Sequence, residues 1–74
     1  MNGTMAKVAQ AQEALRSYYY LGFAELLEES IAEWACVDSA KVFSDGTVMV
    51  THDRLEYYLS GVELAMFFDE SGVI

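Results

Sequence analysis

The stretch Ala40-Lys41-Val42-Phe43-Ser44-Asp45-Gly46-Thr47-Val48-Met49-Val50-Thr51 decides the fold. Two runs rich in β-branched and aromatic residues flank Asp45-Gly46. Asp-Gly between such runs is the strongest short-range hairpin signal, because a type I′ turn needs positive φ at both central residues. The register then expected sets Phe43 against Val48, Val42 against Met49 and Lys41 against Val50. Apolar side chains fall on both faces of that hairpin. A lone hairpin is marginal in water, so at least one face needs a covering helix.

Upstream, residues 4–34 carry helical spacing. Val8, Leu15, Tyr19, Phe23, Leu26, Leu27, Ile31 and Trp34 recur mostly at intervals of three and four residues, as one face of a helix does. Thr4 is the expected N-cap, without a capping box because position 7 is Lys. Three tyrosines in a row and Gly22 weaken the middle, since an interior glycine costs about 1 kcal/mol against Ala. The expectation is either a kink near Gly22 in one bent helix or a break there that gives helices over 4–20 and 23–35, with the break slightly favoured.

Downstream, residues 53–69 read as a further helix. Asp53 and Glu56 have the spacing of a capping box, with Thr51 a rival cap. Leu55, Tyr58, Leu59, Val62, Ala65 and Met66 form an apolar stripe that Tyr57, Leu64 and Phe68 widen. A helix this apolar is buried on more than one side. Gly72 fits the position just past its C-terminus, and Val73 and Ile74 follow without an evident role. The predicted architecture is one α+β domain over residues 1–74, with 1–4 frayed, in the order ααββα and with the helices on one face of the hairpin.

Composition narrows the function classes. The chain has 74 residues, a net charge of −8 and 54% hydrophobic residues. It is too apolar for a disordered acidic tail and too negative to grip nucleic acid or an anionic membrane. No apolar run approaches the roughly 18 residues of a membrane span, and no signal segment is visible. A domain this short buries only roughly 60% of its unfolded surface and usually relies on a staple. Cys36 is the only cysteine and His52 the only histidine, so neither a disulfide within the chain nor a metal is expected. Association with a partner remains as the staple. A lone thiol suits a reducing cytoplasm.

No catalytic motif stands out, and no cofactor is expected. Cys36 and His52 fall at the same end of the hairpin and, with Asp53, make the parts of a nucleophilic dyad. No motif supports that use, and the plainer expectation for Cys36 is a small buried side chain beside Trp34. No pair of carboxylates is set in a cleft that acid–base chemistry needs. A non-enzymatic chain is therefore the expectation.

The acids themselves are patterned. Eleven of the twelve carboxylates lie from Glu25 onward, and no Lys or Arg stands between Glu25 and Asp38. Glu25, Glu29 and Glu33 follow one another at four-residue intervals, with Glu28 beside them. Like charges so spaced repel by a few tenths of a kcal/mol per pair, which suits either a solvated face or a stripe that docks on a basic protein. Consecutive residues of a helix point about 100° apart, so Tyr18, Tyr19 and Tyr20 cannot all enter one core. Glu25, Glu28, Glu29, Glu33, Tyr18 and Tyr20 are the expected partner-binding residues. Tyr57, Leu64, Phe68, Val42 and Met49 are the expected interface of a possible homodimer, which is the alternative reading. Small acidic cytoplasmic chains without a catalytic site are typical of phage and mobile-element inhibitors, anti-CRISPR and DNA-mimic proteins among them. That analogy is one of composition and transfers no residue roles.

Overall fold

A computed structural model describes residues 3–74, Thr4 by its backbone alone. Three helices and three strands follow one another as α1 (Gly3–Tyr20), α2 (Ala24–Ala35), β1 (Ser39–Val42), β2 (Val48–His52), β3 (Leu55–Tyr58) and α3 (Gly61–Glu70). The chain is an α+β domain with one antiparallel sheet, in the order β1-β2-β3. α1 is already helical at Gly3, so Thr4 lies inside its first turn and does not cap it. Its side chain, and residues 1 and 2 of the expected frayed start, lie outside the described residues.

The long upstream helix does break at Gly22. Gly22 adopts φ +86°, a conformation that costs a glycine no Cβ clash. The N–H of Gly22 donates to the Tyr19 carbonyl at 3.1 Å and that of Phe23 to the Tyr18 carbonyl at 2.9 Å. This is the Schellman closure, completed by an apolar contact across it. Here Tyr18 and Phe23 supply that contact, edge to face with centroids 6.4 Å apart. α3 ends in the same way at Gly72. α2 also ends in the same way, but with Cys36 at φ 56° in the left-handed position. Cys36 is therefore exposed and shapes a helix end, contrary to the buried role expected for it.

The hairpin forms with a different turn and register. Val42 pairs with Val48, Lys41 with Met49 and Ala40 with Val50. Only Gly46 of the Asp45-Gly46 pair has positive φ, so the turn is not type I′. The Gly46 N–H donates back to the Phe43 carbonyl at 3.1 Å, and Phe43 N–H donates to the Thr47 carbonyl at 2.9 Å. The loop thus has one residue more than a two-residue turn, with glycine in the left-handed position. Asp45 holds it: its Oδ1 accepts from Thr47 Oγ1 at 2.6 Å and from Thr47 N–H at 3.1 Å. This one-residue shift puts Val42, Val48 and Val50 on one face, buried together under the helices.

The helix expected over 53–69 is shorter, because residues 55–58 form β3. Asp53 and Arg54, with φ 51° and 68°, make a two-residue turn of the kind expected at Asp45-Gly46. β3 then pairs along β2, Met49 with Tyr58, Val50 with Tyr57 and His52 with Leu55. A helix through this segment would leave the second edge of β2 without hydrogen bonds. α3 starts instead at a capping box built by Ser60 and Glu63. Ser60 Oγ accepts the Glu63 N–H at 3.2 Å, and Glu63 Oε1 accepts the Ser60 N–H at 3.2 Å. The Asp53–Glu56 pair and Thr51 cap nothing.

One core joins the layers. Leu15 of α1, Ile31 of α2, Val48 and Val50 of β2 and Phe68 of α3 are fully buried. α1 packs on α3 and α2 on β1, while α1 and α2 touch mainly at their corner. α2 is thus left with two unequal flanks, one toward β1 and one toward α3.

Candidate functional site

The flank of α2 toward β1 is an acidic hollow of about 390 Å³, lined by Glu25, Glu28, Glu29, Ala32, Asp38, Ser39 and Ala40. Four-residue spacing puts Glu25 and Glu29 on one side of the helix, and Glu28 lies one turn beyond Glu25. The turn between α2 and β1 brings in Asp38. No basic side chain lines the hollow. Of the ion pairs among the described residues, Lys7–Asp69 lies elsewhere, and His52–Asp53 borders the hollow at Asp38.

The carboxylates here differ in freedom. Glu28 is half-buried, and its Oε2 accepts the Val42 N–H at 2.8 Å. Antiparallel pairing turns the Val42 N–H outward from the sheet, so Glu28 closes an edge of β1 in addition to charging the hollow. Asp38 Oδ2 accepts the Asp53 N–H at 3.0 Å and tethers the β2–β3 turn. Glu25, Glu29 and Glu33 are exposed. The structure gathers Glu25, Glu28 and Glu29, leaves Glu33 further along the helix crest, and adds Asp38.

Asp38, His52 and Asp53 each bring one potential metal ligand within 4.8 Å of the others. All three are exposed, and their atoms already contact one another: His52 Nε2 lies 3.5 Å from Asp53 Oδ2. Cys36 Sγ points instead to the Glu33 carbonyl, at 3.9 Å.

The flank of α2 toward α3 is apolar. A groove of about 470 Å³ runs between Tyr18, Phe23, Leu26, Leu27 and Ser30 on one side and Phe67, Phe68, Ser71 and Val73 on the other. Tyr18 stacks on Phe68 with centroids 6.1 Å apart, and Trp34 meets Phe67 edge-on at 5.6 Å. The two serine hydroxyls in the groove are spent on their own helices: Ser30 Oγ donates to the Leu26 carbonyl at 3.1 Å and Ser71 Oγ to the Phe67 carbonyl at 2.7 Å. Tyr20 lies outside the groove, 78% exposed at the α1–α2 corner.

The residues expected at a dimer interface scatter. Leu64, Phe68 and Val42 fill the chain's own core. They supply packing within the chain, and of the three only Phe68 also lines the groove. Tyr57 is exposed on the helix side of the sheet, and Met49 is half-buried on the opposite face, beside Tyr58. Leucine and phenylalanine at helical spacing fit a core and an interface equally, and only tertiary placement separates the two. Comparison with family models, curated proteins and solved structures gives no match for this chain.

Proposed function

We propose that the chain is a non-enzymatic interaction module whose acidic hollow receives a basic segment of another protein. One observation carries this reading: Glu25, Glu28, Glu29 and Asp38 converge on one hollow that no Lys or Arg lines. A Lys or Arg side chain entering there finds several carboxylates at once. Such complementarity speeds encounter, fixes specificity and weakens with salt. A nucleic-acid-handling protein is the partner class that best fits, because its phosphate-binding surface is basic. Blocking that surface, as phage-type inhibitors and DNA mimics do, is the cellular role that follows, and the cytoplasm is where such a partner is met.

The test is a tagged pull-down from nuclease-treated lysate, eluted by a salt gradient. It is run with the natural chain and with Glu25→Lys/Glu29→Lys/Glu33→Lys. These three side chains are exposed, so the fold tolerates their reversal; Glu28 is left alone because it closes β1. A basic protein retained by the natural chain and lost by the variant supports the reading. Equal retention by both defeats it.

A second reading, the structural homo-oligomer, draws on β3. All four of its residues are exposed, Leu55 at 69% and Tyr58 at 64%, on a sheet edge open to another strand. Sedimentation at rising concentration separates the readings: a dimer dispersed by Tyr58→Lys favours the oligomer.

A further inference from the structure

The groove between α2 and α3 has an apolar lining and charged banks. Its serine hydroxyls are satisfied within their own helices, so apart from the Tyr18 hydroxyl it offers an entering group apolar contact. Leu26 and Phe23 stand 63% and 47% exposed on its α2 bank, and Val73 is 42% exposed on the other. Surface of this kind is where an amphipathic helix lays its apolar side.

Charge selects among the possible occupants. α2 and α3 together carry Glu25, Glu28, Glu29, Glu33, Glu63, Asp69 and Glu70 and no Lys or Arg. Glu33 lies seven residues after Leu26, two turns along the same side of the helix. Glu70 ends α3 across the groove and accepts the Trp34 indole N–H at 3.2 Å, while Asp69 beside it is paired with Lys7 of α1. A second copy of the chain would bring the same net charge of −8 to these banks, and a fatty-acid carboxylate meets the same repulsion. A helix with basic flanks does not.

We infer that the α2–α3 groove binds an amphipathic helix of the partner, with apolar residues in the groove and Lys or Arg on the acidic banks. This deepens the proposed function and rests on it for the sign of the partner's charge. The hollow and the groove lie on opposite flanks of α2, so one partner straddling that helix engages both.

The probe is a synthetic helical peptide of about five turns, with Leu and Phe at i, i+3, i+4 and i+7 and Lys on both flanks. A scrambled peptide of the same composition, without an apolar face, is the comparison. Binding is read by fluorescence anisotropy and by amide shift perturbation on the full chain. The expected result is at least about tenfold tighter binding of the patterned peptide, with shifts at Phe23, Leu26, Leu27 and Phe67. Leu26→Glu and Val73→Glu are each expected to lower that affinity at least about tenfold. They do so although each adds attraction for a basic peptide, which separates apolar docking from charge alone. Both sites are exposed, so circular dichroism should show an intact fold, and Tyr58→Glu on the far face of the sheet should leave affinity unchanged. Equal binding of the two peptides, with shifts around Glu25 and Glu29, overturns the groove and leaves the acidic hollow standing. Binding of neither peptide overturns the groove, and the charge-reversal pull-down still judges the hollow. A chain that is dimeric alone and made monomeric by Leu26→Glu overturns it in favour of a second copy.

Discussion

Gly61 is a glycine because Val8 stands where a side chain would go. A Cβ built there lies 2.8 Å from Val8 Cγ1, and valine in a helix has little rotamer freedom with which to yield. Helix propensity alone favours Ala by about 1 kcal/mol. Overpacking costs about 1–3 kcal/mol and should win. Gly61→Ala is expected to lose about 1 kcal/mol in urea denaturation, and Val8→Ala in that background should cost less than it does alone. A neutral Gly61→Ala would show that α1 and α3 slide apart freely. Arg54 presents the opposite case, a bulky residue at φ 68°. The left-handed conformation costs such a residue about 1–2 kcal/mol, and glycine returns part of the gain through its looser unfolded state. Arg54→Gly should therefore stabilise by about 0.5–1 kcal/mol, read from the same denaturation curves.

At the scale of elements, two side-chain carboxylates hold backbone that the sheet does not. Glu28 of α2 takes the outward N–H of Val42. A hydrogen bond to a charged group is worth about 1.5–3 kcal/mol, and leaving a buried donor unmet adds to the loss. Glu28→Ala should cost about 2 kcal/mol, with Glu28→Gln recovering part of it because an amide oxygen still accepts. The readout is urea denaturation together with exchange of the Val42 amide. Asp45 braces the β1–β2 loop, and the Thr47 hydroxyl, ahead of the Thr47 N–H, holds its carboxyl below the ordinary aspartate range. A depressed folded pKa stabilises above the unfolded value and is lost as pH falls through the folded one. The natural chain should thus exceed Asp45→Asn in stability near neutrality, and the gap should close below about pH 4. A gap independent of pH would mean that the loop is held by geometry and not by the charge.

The same scale shows what the sequence disclosed and what it hid. Both breaks in the helical text were legible, at Gly22 and at Gly72, because a left-handed closure is written in a few adjacent residues. The acidic side of α2 was legible for the same reason, being the periodicity of one helix. β3 was hidden by ambiguity. Leu55, Tyr58, Leu59 and Val62 keep helical spacing, while Tyr57 and Tyr58 equally suit a strand. Asp53-Arg54 lacks the glycine that marks a type I′ turn, and Asp53–Glu56 imitates a capping box. The deciding signal was Ser60-Gly61-Val62-Glu63, a true capping box seven residues later than expected for one. The groove had no local signature, because Phe23 and Leu26 meet Phe67, Phe68 and Val73 only after the whole chain has folded.

For the whole molecule, charge acts on folding and on binding with opposite signs. A net charge of −8 on 74 residues loads the folded state with self-repulsion. The described ion pairs relieve little of it, since Lys7–Asp69 is half-exposed at both ends and His52–Asp53 counts only when His52 is protonated. The repulsion concentrates on α2, where Glu25, Glu29 and Glu33 oppose one another at a few tenths of a kcal/mol per neighbouring pair. Salt screens these charges over about 10 Å at 0.1 M and about 3 Å at 1 M. The isolated chain should therefore melt higher in strong salt. A gain of about 1 kcal/mol corresponds to roughly 4–8 °C for a domain this small, and differential scanning calorimetry in sodium chloride measures it. Glu25→Lys/Glu29→Lys/Glu33→Lys should start higher and gain less, because the reversal removes the repulsion that salt otherwise screens. Binding of a basic partner should move the other way and fall as salt rises, since the carboxylates that strain the free chain are those that the partner neutralises. A melting temperature that does not change with salt would mean that the α2 charges are already screened by their distance in water. The acidic hollow would then hold little attraction for a partner to use.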